Sequence, residues 1–254
     1  LTKEVTVFVT TVGAPCYPAC REHLRLQDSR FVFKEIRNVA PMSAAFQKML
    51  EDCGTPYYVQ VDEDMLLYPH AVRTLYETIT QYENDVALYA APLFDVHLDR
   101  PIDAVKIFRH AIGQRYAFRD VATCDMERNR RMENDGYRVI RVPGQRASEC
   151  PHTILGLHGP HWTPTSIYER YATLQRVRAE RPARRILSDL SGTFMARFLD
   201  DPTELNFFAL MGLAAGEFGA HRGEHREKDY RTYANLPGQR HLKAFFREFT
   251  SRDA

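Results

Sequence analysis

Residues 56–65 read Pro56-Tyr57-Tyr58-Val59-Gln60-Val61-Asp62-Glu63-Asp64-Met65. An aromatic and β-branched run, the composition of a strand, ends abruptly in three acids. In open α/β sheets ligands bind beyond the carboxyl ends of the strands. Carboxylates at that edge can hold a hard divalent cation, which in turn neutralises a diphosphate. Two Asp at i and i+2 around a tight strand end can both reach one ion. The other reading of the same residues is a solvated acidic turn leading into the next helix.

The flanking pattern alternates strand and helix. Residues 4–11 (EVTVFVTT) are β-branched and nearly continuously apolar, as in a strand buried on both faces. Val12-Gly13-Ala14-Pro15 breaks the run, and residues 17–27 have helical composition. Residues 31–36 read as a second strand. Ala44, Ala45, Met49 and Leu50 sit at helical spacing within 43–53, with Gly54 placed like a C-cap glycine. A helix over 69–82 carries Ala71, Val72, Leu75, Tyr76 and Ile79 on one face, and 86–92 is a further strand. Such alternation implies an α/β class with a mostly parallel, Rossmann-like sheet and right-handed crossovers. The middle is less regular: strands over 105–109, 137–142 and 153–157, and a helix over 126–135. From residue 164 the pattern is helical, over 165–180, 186–198, 205–217 and 239–249. The expected division is therefore 1–163 and 164–254.

Composition narrows the classes. The 254 residues are 44% hydrophobic and 26% charged, so one sizeable domain with an addition can bury a core unaided. Lys+Arg is 34 against Asp+Glu 33, a net charge of +1 that argues against a nucleic-acid coat or a polybasic membrane anchor. No apolar run approaches the roughly 20 residues of a transmembrane helix. Five Cys with no repeated CxxC pair read as reduced intracellular thiols rather than a disulfide frame. The chain opens at Leu1 without Met or an apolar signal region, as a processed or excised part of a larger chain would.

With these elements in place, Asp62-Glu63-Asp64 resembles the Asp-x-Asp motif of the GT-A class of nucleotide-sugar glycosyltransferases, of the family-2-like type. Asn38 and Pro41-Met42-Ser43-Ala44-Ala45-Phe46 are similar to the family's helix start ahead of the metal strand, and Thr10-Thr11-Val12-Gly13 to its nucleotide-contacting loop. A second run matches: Lys106-Ile107-Phe108-Arg109, then Tyr116-Ala117-Phe118-Arg119-Asp120, Cys124-Asp125, Glu127, Arg130-Arg131 and Gly136-Tyr137. Asp125 stands eleven residues before Gly136, where the resemblance implies the second acid of a Glu-Asp pair. The chain departs from the family in having Cys124 in place of the Glu and Arg115-Tyr116-Ala117 in place of a Gly-Gly-aromatic turn.

The resemblance implies a fold, a reaction and a site. The fold is a GT-A sheet flanked by helices with a C-terminal helical extension. The reaction is metal-dependent, inverting transfer from a nucleoside-diphosphate sugar to the hydroxyl of a glycan or glycolipid acceptor. A UDP-sugar is favoured as donor over a GDP-sugar, Mn2+ or Mg2+ is the cofactor, and no nucleic-acid partner is implied. The location is cytoplasmic or peripheral at a membrane. Asp62 and Asp64 would hold the cation, with Glu63 beside the nucleotide. Thr10, Thr11, Val12 and Asn38 would line the nucleoside pocket. Asp125 would be the general base, a role that does not conflict with capping its helix, and Glu127 the substitute.

His158-Gly159-Pro160-His161-Trp162 follows the strand over 153–157 and resembles the source of a third metal ligand. His158 ends the strand directly, and His161 is the alternative; imidazole suits Mn2+ better than Mg2+. Two other functions stay open: a sugar nucleotidyltransferase, and a non-catalytic glycan-binding module of the same fold. Against the first, Thr11-Val12-Gly13-Ala14-Pro15 is poor in Gly and lacks Lys or Arg. Five Arg within 176–185 form either a solvated face or a dock for an anionic acceptor. Glu217, His221 and His225 share a helical spacing, but Gly219 and Gly223 interrupt it.

Overall fold

Alternation along the first strand, β1 (Val5–Thr11), sorts Val5, Val7 and Val9 to one face of a sheet and Thr6, Phe8 and Thr10 to the other. In the computed structural model both faces are covered. The structure describes residues 1, 3–121, 123–142, 154–179, 185–220, 247 and 251, with the side chains of 176–191 and 218–220 left aside. Contacts divide the chain into two units, residues 1–161 and 162–254.

In the first unit β1 is followed by α1 (Tyr17–Arg25), β2 (Val32–Arg37), α2 (Met42–Asp52), β3 (Tyr57–Asp62), β4 (Met65–Leu67) and α3 (Ala71–Gln81). Then come β5 (Val86–Asp95), β6 (Arg100–Arg109), the short α4 (His110–Gly113), α5 (Cys124–Asn134), β7 (Arg138–Arg141) and β8 (Gly156–His158). Among the described residues the sheet runs β2-β1-β3-β6-β5-β8-β4, with β7 also paired to β5. β1 is parallel to β2 and β3, and β5 to β7 and β8. β6 lies antiparallel between β3 and β5. The reason is the connection: β5 returns into β6 through a short hairpin, with Asp99 at φ 52°, and no helix intervenes to cross over.

One face packs Val5, Val7, Val9, Val59, Val61 and Ile107 against α1 and α3 through Cys20, Leu24, Val72, Leu75 and Ile79. The other packs Phe8, Tyr58, Leu88 and Phe108 against α2 and α5 through Phe46, Met49, Leu50 and Met132. Each fully buried side chain of this size contributes about 1.5–3 kcal/mol relative to exposure. Arg109, in the strand quoted for the family match, is structural: its guanidinium donates to Ile79 O, Tyr82 O and Val86 O and to the Tyr57 hydroxyl. It thereby satisfies carbonyls at the end of α3.

Several expectations shift. β4 was not anticipated, and β6 begins at Arg100 rather than 105. β8 covers Gly156–His158 rather than 153–157. Gly54 is not a left-handed cap; α2 runs out into extended backbone at Cys53 (φ −74°, ψ 120°).

The second unit contains α6 (Pro164–Ala179), α7 (Arg185–Asp200) and α8 (Glu204–Ala220). Thr163 caps α6, its hydroxyl accepting from Ser166 N at 3.2 Å. Tyr171, Phe194 and Phe208 are buried, with the Tyr171 and Phe194 rings 4.6 Å apart. α6 and α8 approach so closely that a Cβ at Gly212 would lie 2.5 Å from Tyr168 O. α8 continues through Gly219, where an interruption was expected. No described helix is long and apolar enough to cross a membrane. Cys150, His221, His225, the expected helix over 239–249 and most of the Arg cluster at 176–185 lie outside what is described.

Candidate active site at the carboxyl ends of β1 and β3

Parallel pairing of β1 with β3 sets Thr10 against Asp62. This register brings the end of the first strand to the acidic turn. The Thr10 hydroxyl donates to Asp62 Oδ1 at 2.9 Å. Asn38 is exposed at positive φ (54°), and its N–H donates to Thr11 O at 2.9 Å. Thr10, Thr11, Val12, Asn38, Asp62 and Glu63 are therefore brought together at one sheet edge.

Glu63 faces the loop after β1. Its carboxylate accepts from the Thr11 hydroxyl at 2.5 Å, from Ala14 N at 2.9 Å and from Val12 N at 3.2 Å.

Asp64 faces β8. The antiparallel β4–β8 ladder pairs Met65 with His158, and Gly159 N donates to Asp64 O at 2.9 Å. His158 Nε2 lies 3.5 Å from Asp64 Oδ2, and His158 Nδ1 lies 2.9 Å from Oδ2 of the fully buried Asp95. The tautomer with Nδ1–H donating to Asp95 would turn Nε2, on the Asp64 side, into a donor atom for a cation. His161 is exposed.

Lys106 on β6 pairs opposite Gln60 on β3. By alternation it shares the α5-side face with Phe108, and Nζ reaches Asp125 Oδ2 at 2.9 Å. Asp125 lies in the first turn of α5, where a carboxylate is favoured. Cys124 beside it is buried in the core under that face. Glu127 is held by Arg119 at 3.1 Å and Arg131 at 2.9 Å.

The electrostatics follow from crowding. Burial raises the Asp62 carboxyl above the ordinary range, and the neighbouring Asp64 charge adds to it, while the Thr10 hydroxyl and Lys106 pull the other way. Burial works against the Lys106 charge, but Asp125 and then Asp62 outweigh it and raise the amine above its usual value. Lys106 thus feels both the acidic turn and the start of α5. At the N-terminal cap of α1, burial pushes the Cys16 thiol up to about 12, with Asp64 and Glu63 contributing. The thiol is inert as a nucleophile there.

A divalent cation suits this donor set. Among the described residues no three His, Cys, Asp or Glu side chains converge closely enough to enclose an ion. A hard cation held by one or two carboxylates completes its shell with water and substrate phosphate, so an enclosure is not required. A cation would offset both the burial and the neighbouring Asp64 charge that raise Asp62, and an imidazole oriented by a buried carboxylate is the usual setting of a metal-ligating His. Asp62, Asp64 and His158 fit; His161 adds no observation in its favour.

Asp95 escaped the sequence reading. It is 63 residues from His158, and only the β5–β8 pairing joins them.

The structure matches the mannosyltransferase PcManGT from Pyrobaculum calidifontis, solved with GDP-Man and Mn2+, at a TM-score of 0.51. Identity is 14%, over 99% of this chain and 84% of that one. The fold is GT-A. Weaker matches are TarS 1-349 from S. aureus (TM-score 0.47, 11% identity, 93% and 77% covered) and GlyE from Streptococcus pneumoniae TIGR4 (0.42, 12%, 65% and 56%). No protein-family model and no curated protein matches the sequence. In the GT-A frame, the acidic turn, the loop after β1 and the start of α5 occupy the carboxyl edge of the central strands, where open α/β sheets bind ligands.

Proposed function

We propose that the chain is a metal-dependent, inverting glycosyltransferase that moves a sugar from a nucleoside-diphosphate sugar to an acceptor hydroxyl. One observation carries this reading. Lys106 stands in the field of both Asp62 and Asp125, so the acidic turn and a second acid, ion-paired to that lysine, lie along one sheet edge.

Asp62 and Asp64, with His158, would hold Mn2+ or Mg2+. When bound, the cation supplies Lewis-acid neutralisation of the departing diphosphate. Thr10, Thr11 and Asn38 line the nucleoside side. Asp125 takes the proton of the acceptor hydroxyl as its oxygen bonds to the anomeric carbon, from the face opposite the diphosphate. The bond between that carbon and the diphosphate oxygen breaks, and its electron pair leaves with the diphosphate. Lys106 holds the Asp125 carboxylate in place. Glu127, engaged by two Arg, is the poorer base.

In this reading residues 1–163 are the nucleotide-sugar-binding and catalytic domain and 164–254 a helical extension. A neighbour of the same fold was solved with GDP-Man and Mn2+, so GDP-sugars stand beside UDP-sugars as candidate donors. The acceptor class remains glycan or glycolipid.

The test is a panel of UDP- and GDP-sugars with Mn2+, reading transfer to glycan and glycolipid acceptors and release of nucleoside diphosphate. Asp64→Asn and Asp125→Asn should each lower turnover about 100-fold or more while staying folded. Wild-type transfer by both variants would sink the scheme. Calorimetric silence towards every donor would point to a glycan-binding module instead.

A further inference from the structure

The middle acid of the turn behaves unlike its neighbours. Both oxygens of Glu63 are spent on the loop after β1: Oε2 takes the Thr11 hydroxyl at 2.5 Å and Ala14 N–H at 2.9 Å, and Oε1 takes Val12 N–H at 3.2 Å. The one amide between them, Gly13 N–H, donates to the Thr11 hydroxyl at 2.9 Å. Three consecutive amides therefore end on one carboxylate, directly or through a single hydroxyl. Gly13 makes this possible through its left-handed backbone (φ +83°), with open space where a Cβ would stand.

This loop has little else to hold it. Val12 and Gly13 are exposed, so their conformation does not come from core packing. It comes from a side chain 49 to 52 residues away, at the end of the neighbouring strand.

Two consequences follow. A run of backbone amides in this shape is an anion-binding concavity, but here the chain's own carboxylate fills it. A phosphate would have to displace Glu63 and approach Asp62 and Asp64 without compensation. The loop is thus left to a neutral group, and the diphosphate to the cation side of the turn. This also sets the loop apart from one whose amides cradle a triphosphate. Second, the two halves of the site are tied together, because the residue between Asp62 and Asp64 is the one that grips the loop.

We propose that Glu63 is a positioning residue for nucleotide binding. It fixes the Val12–Ala14 loop in the shape that receives the base and ribose, and keeps that loop in register with the cation-holding acids. The ligand in this inference rests on the proposed function; the grip on the loop does not.

The experiment compares wild type with Glu63→Ala and Glu63→Gln in three readouts. Amide hydrogen exchange of residues 12–14, without ligand, should quicken about tenfold or more in Glu63→Ala, with the α3 amides unchanged. Affinity for UDP or GDP with Mn2+ should fall about tenfold, and KM for the donor should rise in parallel. The turnover number at saturating donor should stay within about threefold. Glu63→Gln, which keeps one acceptor oxygen and the same shape, should fall between. Unchanged exchange at residues 12–14 would overturn the grip. Faster exchange with unchanged nucleotide affinity would overturn the positioning role. A wild-type protein that binds no nucleoside diphosphate would overturn the function and the ligand assigned here, and is told apart because the exchange readout does not need ligand.

Discussion

Lys106 Nζ lies 2.9 Å from Asp125 Oδ2, with 14% and 23% of the two side chains exposed. A pair this shielded is worth more than a surface ion pair, and removing one partner leaves the other charge partly buried and uncompensated. Lys106→Met should therefore cost more than the loss of a contact. The expected result is a turnover number lowered about 10- to 100-fold with a smaller change in donor KM, since Asp125, the base in the proposed mechanism, would lose its anchor. Steady-state kinetics with varied donor and acceptor check it. A rise in donor KM alone would move Lys106 to the donor side of the site.

His158 is held between Asp64 and the buried Asp95, which also accepts Leu98 N at 2.7 Å. Carboxylates behind a ligating imidazole typically contribute 10- to 100-fold in metal affinity. Asp95→Asn should weaken Mn2+ binding by about that factor, and His158→Ala by at least as much, with His161→Ala near wild type. Calorimetric Mn2+ titration in the presence of a nucleoside diphosphate measures each. A large effect at His161 and none at His158 would reverse the assignment.

Much of this was legible in the sequence because it depends on local pattern. The valine alternation of 5–9, the strand at 57–62 and the acidic stop at 62–64 all declare themselves within ten residues. What escaped depends on long-range pairing. Met65–Leu67 becomes a strand only because β8 lies alongside it, and Asp95 gains a role only through His158. The antiparallel β6 hides in residues 100–104, where Arg100, Pro101 and Asp103 mask the β pattern of the hairpin. Glu63 read as lying beside the nucleotide; what local pattern did not show is that its carboxylate accepts from Thr11, Val12 and Ala14, 49 to 52 residues earlier.

Arg128 is fully buried in α5, where two carbonyls and two rings hold its guanidinium. Nε donates to Tyr116 O and Nη2 to Gly113 O, both at 2.9 Å, and the guanidinium lies 4.5 Å from the Phe118 ring centre and 5.4 Å from that of Phe108. The fork and the plane both matter, so Lys cannot replace it. Arg128→Lys and Arg128→Met should each destabilise by about 2–5 kcal/mol, through loss of the donor to Tyr116 O, loss of one of the two donors to Gly113 O (which keeps Tyr116 N–H), and loss of the packing against the two rings. Urea unfolding checks this. A Lys variant as stable as wild type would show that charge alone suffices.

Glu169, in α6, carries the clearest pH signature. Burial pushes its carboxyl up to about 7, and Oε1 has no hydrogen-bond partner among the described residues. In the unfolded chain the same group titrates at about 4.5. Between these values the folded state binds more protons than the unfolded one, so stability falls as pH rises through the window. The full effect, reached above pH 7, is at most about 3 kcal/mol for a shift of this size. Glu169→Gln keeps the shape and removes the proton equilibrium. It should be close to wild type at pH 4.5 and more stable at pH 8, flattening the dependence of the unfolding midpoint between them. Thermal unfolding of both proteins across pH 4.5–8 measures it. Parallel curves would mean that Glu169 ionises at no cost, and that its carboxylate reaches water.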